Sequence, residues 1–472
     1  MLAAVCLLSG VWALVLMLSG GGSVHLGTWR VSSSTARNPL LIALVSGLLA
    51  WFLALTDRSD GDRRRRGAAF VAALTLLAVG LNLMLQATPP QPSGVFTCYA
   101  DQQLRGGFRF QLNCDSMEFM YLADEPSLVF MRPIRQGRPL SFIIPFIVAF
   151  PLRVLPDFEI MPVGPPLQKS FFGFAIVNLA TLVIALLLFT LAYERGTGWR
   201  LGPEWLFVAV VLAANEITKM FVWIPHVQIL NVLTPCLTIY LNLRLLERSS
   251  PITSGRAIAV GAAIGAALLL YGSFVIPLVC VITIQWFVYR RVWSGLLTGI
   301  SASLVYLTWM AVLFLQTGRV YNHEVVVYRQ FVWIADCLAA QTCGTAVATN
   351  ATAFFNATAA VLAIPAVLAV ATHVARLLRT DGSGTVTPAP RTLLQATALG
   401  WVVTFVFVAL AGFYSPRLSW MLVPPVLMLV AVEGGAMWRA AGSRRPWAVS
   451  IVLVAICIAH VLILAARQGP YW

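Results

Sequence analysis

The sequence predicts an all-α polytopic membrane protein with about 13 transmembrane helices and a large first external loop that carries juxtamembrane helices. Three observations support this fold class. Hydrophobic residues make up 59% of the 472-residue chain and charged residues only 11%, whereas about a quarter of a typical soluble domain is charged. Apolar runs near the length that crosses about 30 Å of hydrocarbon recur along the chain. Arginines cluster in the short connections between those runs, as in cytoplasmic loops.

Residues 1–67 are predicted to form two N-terminal spans and a basic cytoplasmic loop. The apolar residues 1–19 follow no basic region and precede no small-residue cleavage site, which favours a first span over a cleaved signal peptide. A second span covers 39–56. The sequence TDRSDGDRRRRG then places Arg58 and Arg63–Arg66 between two close spans. Basic residues in so short a connection locate it in the cytoplasm.

A third span, about 68–87, therefore leads outward into a first external loop at 88–170. Within this loop only 141–155 is apolar, and this stretch is short for a crossing helix. Pro145 and Pro151 interrupt it. If it crossed, every later basic loop would move to the outside, so the charge pattern favours a helix that lies in the outer membrane interface.

The remaining spans alternate with loops that keep more than half of the 32 basic residues in the cytoplasm. The predicted core is 68–200, and 201–472 is a further bundle with a second external loop at 317–351. The later spans are predicted at 171–192, 204–222, 227–243, 257–272, 275–289, 293–316, 352–375, 392–413, 418–437 and 446–466.

Cysteines occur both in apolar runs and in the two external loops. Cys98 with Cys114, and Cys337 with Cys343, are predicted to form short disulfides if these loops face an oxidising compartment. No CxxC or His-rich spacing predicts a metal site. The net charge of +14 reflects membrane topology rather than nucleic-acid binding.

Ionisable side chains are concentrated in the first external loop, in CYADQQLRGGFRFQLNCDSMEFMYLADEPSLVFMRPIRQGRPL. A carboxylate there can deprotonate an acceptor hydroxyl. Arginine forks suit a phosphate and the charge that develops on it. The candidate bases are Asp115, Glu118 and Asp101, and the candidate phosphate ligands are Arg135, Arg138, Lys169, His226 and Arg417.

Several of these residues have an alternative interpretation. Arg135 and Arg138 suit the anchoring of an interfacial helix to anionic headgroups. Lys169 also suits the end of a span, where lysine extends toward the headgroups. His226, in WIPHVQILN, fits an interfacial cap, and Arg417, in FYSPRLSW, fits an interface anchor.

The order of these motifs resembles the GT-C membrane glycosyltransferases, particularly the polyprenyl-phosphate-sugar-dependent enzymes related to protein O-mannosyltransferases and aminoarabinose transferases. The likeness covers about 68–200. An acid followed by aromatics, DSMEFMY from Asp115, precedes IRQGRPL and the helix FIIPFIVAF, and the next span carries Asn178 near its start. The chain differs in its two extra N-terminal spans and in the distance between the third span and Asp115.

The resemblance implies an inverting transfer of a hexosyl or pentosyl group from a polyprenyl-phosphate donor to a hydroxyl of an envelope glycan, lipid or protein. The reaction would take place at the outer face of a bacterial cytoplasmic membrane, among membrane lipids. The outer acids permit a divalent metal but do not require one. An envelope polysaccharide polymerase or ligase is the alternative, and a lipid-linked glycan transporter is disfavoured because ionisable groups are scarce at mid-membrane.

Overall fold

The structure is a computed structural model. It describes residues 2–19, 22–26, 29–33, 38–43, 45–47, 100–103, 109–112, 114–154, 169–199, 201–323, 326, 329–380, 390–440 and 455–464. The predicted third span at 68–87, the basic loop after the second span and Cys98 of the predicted Cys98–Cys114 disulfide lie outside these residues.

The described chain is mainly helical, as predicted for a helical membrane protein. Its helices are α1 (Leu2–Ser19), α2 (Asn38–Gly47), α3 (Cys114–Asp124), α4 (Leu140–Ala149), α5 (Lys169–Thr197), α6 (Pro203–Ala213), α7 (Glu216–Phe221), α8 (Leu230–Leu246), α9 (Ser254–Leu268), α10 (Val275–Thr283), α11 (Val292–Thr317), α12 (Trp333–Ala339), α13 (Cys343–Thr380), α14 (Arg391–Leu410), α15 (Pro416–Ser419), α16 (Val423–Ala440) and α17 (Ala455–Leu464).

In the described ranges, two short antiparallel hairpins accompany the helices, and the all-α prediction did not include them. Strand β1 (Gly22–Leu26) pairs with β2 (Trp29–Ser33), and β3 (Ala100–Gln103) pairs with β4 (Arg109–Leu112). The second hairpin lies in the predicted first external loop and directly precedes α3.

Five helices in the described part of the chain are long and apolar enough to cross a membrane: Lys169–Thr197, Val292–Thr317, Cys343–Ala375, Arg391–Leu410 and Pro416–Met437. Shorter apolar helices, α8 and α9 among them, pack between these five. Helix–helix contact in the apolar interior depends on small residues. A Cβ on Gly261 would lie 2.3 Å from the carbonyl oxygen of Thr298, so only glycine lets α9 approach α11 this closely.

The predicted span at 204–222 is wrong as a single helix. Helix α6 ends at Ala213 and α7 begins at Glu216. The side chain of Asn215 accepts hydrogen bonds from the backbone N–H groups of Ile217 and Thr218. The backbone N–H of Asn215 in turn donates to the Thr218 hydroxyl. This capping box starts a new helix because it satisfies the amides that a continuous helix would pair internally.

The boundaries of two other predicted segments also need correction. Helix α8 begins at Leu230, not at 227, because the segment before it adopts turns around His226. The second external loop is shorter than 317–351, since α13 already begins at Cys343. The predicted span at 418–437 agrees with the apolar helical segment Pro416–Met437, in which short helical turns precede α16.

The stretch predicted to lie in the interface forms α4 and a following 3₁₀ turn, Phe150–Val154. Ten helical residues extend only about 15 Å, half of the hydrocarbon thickness. Helix α4 packs closely on α5, where a Cβ on Gly173 would lie 2.2 Å from the carbonyl oxygen of Pro145. This crossing fixes the first external loop to the start of the first long span.

Candidate functional site

Helix α3 carries two acids, Asp115 and Glu118, directly beside its buried apolar residues. Its apolar residues Phe119, Leu122 and Ala123 are fully buried, and the ring of Phe119 packs edge-on against Phe174 of α5, 5.9 Å between centroids. Asp115 and Glu118 lie one turn apart in the same helix, a spacing that places them on a common face. The helix therefore holds both carboxyl groups on a rigid, packed element.

Asp115 is the centre of a charged cluster. Its Oδ2 lies 3.0 Å from Arg135 Nη2 and 3.3 Å from His226 Nε2. The side chain is 44% exposed, so the carboxylate faces solvent despite these contacts. The hydrogen bond from His226, followed by the charges of Arg135 and Arg417, holds the pKa of Asp115 well below its usual range against the opposing effect of burial.

His226 is buried between two phenyl rings and acts as a neutral donor. Its ring lies 5.2 Å from that of Phe119 and 4.8 Å from that of Phe221. Burial lowers the pKa of His226 to about 4, which leaves the ring neutral at physiological pH. The backbone N–H of Gln228 donates to His226 Nδ1, so the one ring proton sits on Nε2 and points to Asp115.

Arg135 is held in a constrained turn beside these residues. Its backbone is left-handed, with φ of 72°, a conformation that costs free energy in a non-glycine residue. The guanidinium carbon of Arg135 lies 4.8 Å from the centroid of the Phe119 ring. The whole residue is only 9% exposed. Its Nε is buried and has no hydrogen-bond partner. Packing thus fixes the fork of Arg135 while one of its donors is unused.

Arg417, in the short helix α15, brings a second guanidinium to the cluster. Its charge acts on both Asp115 and His226. Its backbone carbonyl accepts a hydrogen bond from Asn231 Nδ2 at 2.9 Å, while its own Nε is buried without a hydrogen-bond partner. The charges of two guanidiniums therefore act on one ionised carboxylate, and the group carries an excess of positive charge.

Hydrogen bonds among Asn231, Gln228 and Tyr271, together with a cation–π contact, connect this cluster to Arg138. The Arg138 guanidinium lies over the ring of Tyr271, 5.1 Å from its centroid. The Tyr271 hydroxyl donates to Gln228 Oε1 at 3.0 Å, and Asn231 donates to the same oxygen at 2.6 Å. Neither Gln228, Asn231 nor Tyr271 was among the candidates, although polar residues in WIPHVQILN, between apolar runs, were a signal for the first two.

Glu118 is half-buried and differs from Asp115 in its contacts. No hydrogen bond or ion pair joins it to another residue in the described ranges, although Arg135, Arg132 and His323 are near enough to act on its charge. Burial raises the pKa of Glu118, and the charge of Asp115 reinforces that effect. The two acids of α3 thus have pKa values displaced in opposite directions.

The second external loop contacts the turn that contains Arg135 and Gly137. The Tyr321 ring packs so closely on Gly137 that a Cβ there would lie 2.5 Å from the ring. Further along, Cys337 and Cys343 form the second of the two predicted disulfides, and Arg329 pairs with Asp336. The side chain of Asp101 lies outside the described residues, and Lys169 is the first residue of α5.

The structure therefore brings together Asp115, Glu118, Arg135, His226 and Arg417 from segments far apart in the chain, with Arg138 linked through Tyr271. Within the described ranges, no three His, Cys, Asp or Glu side chains are grouped so as to hold a metal ion.

In comparisons with known proteins, this chain matches no protein-family model and no curated sequence.

Proposed function

We propose that this protein is an integral membrane glycosyltransferase of the GT-C type, which moves a sugar from a polyprenyl-phosphate donor to a hydroxyl acceptor. The proposal rests on a pair of guanidiniums, Arg135 and Arg417, near the acid-bearing helix α3. Their Nε atoms are buried and have no hydrogen-bond partner in the described structure. Buried donors without partners are costly unless a ligand satisfies them. An anionic phosphodiester supplies the acceptor oxygens that both forks need.

The chemistry follows from the groups around this anion site. The acceptor oxygen bonds to the anomeric carbon, and the bond from that carbon to the phosphate oxygen breaks. Its electron pair leaves on the lipid phosphate, which gains a second negative charge. Arg135 and Arg417 stabilise that charge because they are already oriented by packing. An acid of α3 takes the proton of the acceptor hydroxyl.

The membrane supplies the lipid part of the donor. Ile147 of α4 and Phe150 of the following 3₁₀ turn are exposed, and the apolar spans α5 and α11 follow or pack near the site. In the proposed arrangement of 13 spans, α3 and α4 lie at the outer face of a bacterial cytoplasmic membrane. A donor linked to a membrane lipid needs no soluble nucleotide on that side.

The proposal is tested with purified protein in lipid vesicles and a panel of sugars linked to farnesyl phosphate, namely mannose, glucose, galactose and arabinofuranose. We expect release of farnesyl phosphate from at least one member in the presence of envelope glycan fragments. The corresponding nucleotide sugars, offered as controls, are expected to be inert. Consumption of none of the panel, or of a nucleotide sugar instead, would contradict the proposal.

A further inference from the structure

We infer that Glu118, and not Asp115, is the residue that accepts the proton of the acceptor hydroxyl, while Asp115 serves as a positioning residue for Arg135 and His226. This inference rests on the proposed glycosyl transfer. It assigns different roles to two acids that are both candidates for the base from the sequence.

The contacts of Asp115 are those of a fixed counter-ion. Its Oδ2 accepts hydrogen bonds from Arg135 Nη2 and from His226 Nε2. The Nδ1 of His226 is occupied by the Gln228 backbone N–H, so the ring has no other tautomer that keeps both bonds. A proton on Asp115 would remove charge-assisted bonds that hold the Arg135 fork in place.

The surroundings of Glu118 are those of a group that can take a proton. It lies one helical turn after Asp115, and no hydrogen bond or ion pair within the described ranges occupies its carboxylate. The charged groups that face it are Asp115 on its own helix, Arg132 and Arg135 from the segment after α3, and His323 from the second external loop. Burial raises its pKa, which makes its carboxylate a stronger base than that of an exposed Glu.

The donor strengthens this difference between the two acids. Its phosphodiester brings one negative charge to Arg135 and Arg417, within reach of the α3 face. The added negative charge favours protonation of a nearby carboxylate that is not tied to a cation. In the transfer step the proton of the acceptor hydroxyl goes to Glu118 as the new glycosidic bond forms. The electron pair of the broken bond leaves with the lipid phosphate.

The test compares Glu118→Gln with Asp115→Asn in vesicles, measuring two quantities for each variant: the turnover of the active farnesyl-phosphate sugar and the Kd of farnesyl phosphate. We expect Glu118→Gln to lower kcat by about 10²- to 10⁴-fold, the usual contribution of a general base. Its Kd should stay within about threefold of the parent value. Asp115→Asn should instead change the Kd and retain measurable turnover, because it disturbs the phosphate-binding fork.

The pH profile separates a base from a structural residue. The kcat of the parent protein should rise with pH as the Glu118 carboxyl ionises and then level off. Asp115→Asn should keep this rise, and Glu118→Gln should lose it. Glu118→Asp is the control for folding, since it restores a carboxylate and should recover part of the turnover.

Three results would count against the inference. If Glu118→Gln keeps the parent kcat while Asp115→Asn abolishes turnover with an unchanged Kd, the roles are reversed and only this inference fails. Loss of farnesyl phosphate binding in both Glu118→Gln and Glu118→Asp would make Glu118 a structural residue. If the parent protein turns over no lipid-linked sugar, the proposed function fails, and this inference with it.

Discussion

The Nε2–H of His226 donates a hydrogen bond to Oδ2 of Asp115 at 3.3 Å, although 111 residues separate the two along the chain. This bond joins the first external loop to the segment before α8. It also fixes the charge state of the site, because the donor is a neutral imidazole and the acceptor an ionised carboxylate. His226 therefore adds no positive charge to the site at physiological pH, whereas Arg135 and Arg417 do.

The neutral state of His226 predicts a pH-dependent stability. Its pKa falls from 6.5 in the unfolded chain to about 4 in the fold. Between these values the unfolded state binds more protons, so stability is full above pH 6.5 and is lost as pH falls toward 4. The complete loss is about 3 kcal/mol, at 1.36 kcal/mol for each pKa unit. We expect the thermal midpoint in detergent to fall between pH 6.5 and 5.

The variant His226→Gln isolates this contribution because its amide can still donate to Asp115 but does not titrate. Its thermal midpoint should depend less on pH in the same window. Glu118 titrates with the opposite sign, since its folded pKa is raised, and this effect is common to both proteins. Equal slopes for the parent and His226→Gln would refute the neutral, buried histidine.

The long apolar helices and the polar first loop could be predicted from the sequence, but the site could not be assembled from it. Helix α5 follows from hydropathy alone, and the acids and arginines of the first loop are adjacent in the chain. The contact of Asp115 with His226 depends on how α3 packs against the segment after α7. No spacing in the sequence encodes such a contact, because it is set by the tertiary packing of the Phe119 and Phe221 rings around His226.

The break between α6 and α7 shows the opposite case, a local signal that hydropathy obscured. Asn215 followed by Thr218 is a capping pattern readable in AANEITK. The apolar run around it predicts one continuous span. The capping box satisfies the backbone amides locally, so the chain starts a new helix at Glu216 and does not continue α6. The segment that contains His226 follows this break.

Arg417 is predicted to contribute strongly to anion binding. Arg417→Gln removes a guanidinium whose Nε is buried without a hydrogen-bond partner. Hydrogen bonds to charged groups contribute about 1.5 to 3 kcal/mol. We therefore expect the Kd of farnesyl phosphate, measured by calorimetry, to rise at least about tenfold. The matched control is Arg329→Gln, an exposed arginine paired with Asp336, which should leave this Kd unchanged. Equal effects of the two substitutions would show a non-specific electrostatic attraction instead.

Asn231 is predicted to position Arg417 through its backbone. Its Nδ2 donates both to the Arg417 carbonyl and to Gln228 Oε1. Asn231→Leu should lower stability by about 1 to 3 kcal/mol, since it removes the donor to the Arg417 carbonyl, while Gln228 Oε1 keeps its hydrogen bond from Tyr271. It should also weaken the binding of farnesyl phosphate severalfold, because Arg417 loses its anchor.

Asn242→Leu is the control for this prediction. Asn242 lies in the same helix, is equally buried and donates to the Ala396 carbonyl. The control should lower the thermal midpoint to a similar extent while the Kd of farnesyl phosphate stays at the parent value. A Kd that changes equally in both variants would mean that only the general stability of α8 matters.

The crossing of α4 and α5 is predicted to tolerate no side chain at Gly173. The Cβ of Gly173→Ala would lie 2.2 Å from the Pro145 carbonyl oxygen and 3.0 Å from the Ala149 Cβ. The backbone of one helix must then shift, at a cost of about 1 to 3 kcal/mol, and the thermal midpoint should fall. In Gly299→Ala the nearest atom would be Ile282 Cδ1 at 3.4 Å, an ordinary contact, so this helical control should be neutral or slightly stabilising. A stable Gly173→Ala variant would show that the two helices are not held at this distance.

The proposed topology makes opposite predictions for two exposed serines, Ser127 after α3 and Ser254 at the start of α9. Basic residues flank Ser254 in a short connection, which places it in the cytoplasm, whereas Ser127 belongs to the first external loop. In intact cells, a membrane-impermeant maleimide should label Ser127→Cys and should not label Ser254→Cys until the cells are opened. Both variants are made in a chain without the four cysteines that are free in its described residues, Cys6, Cys236, Cys280 and Cys457. Labelling of Ser254→Cys alone in intact cells would place the carboxylates of α3 in the cytosol, where nucleotide sugars are available, and would remove the reason for a lipid-linked donor.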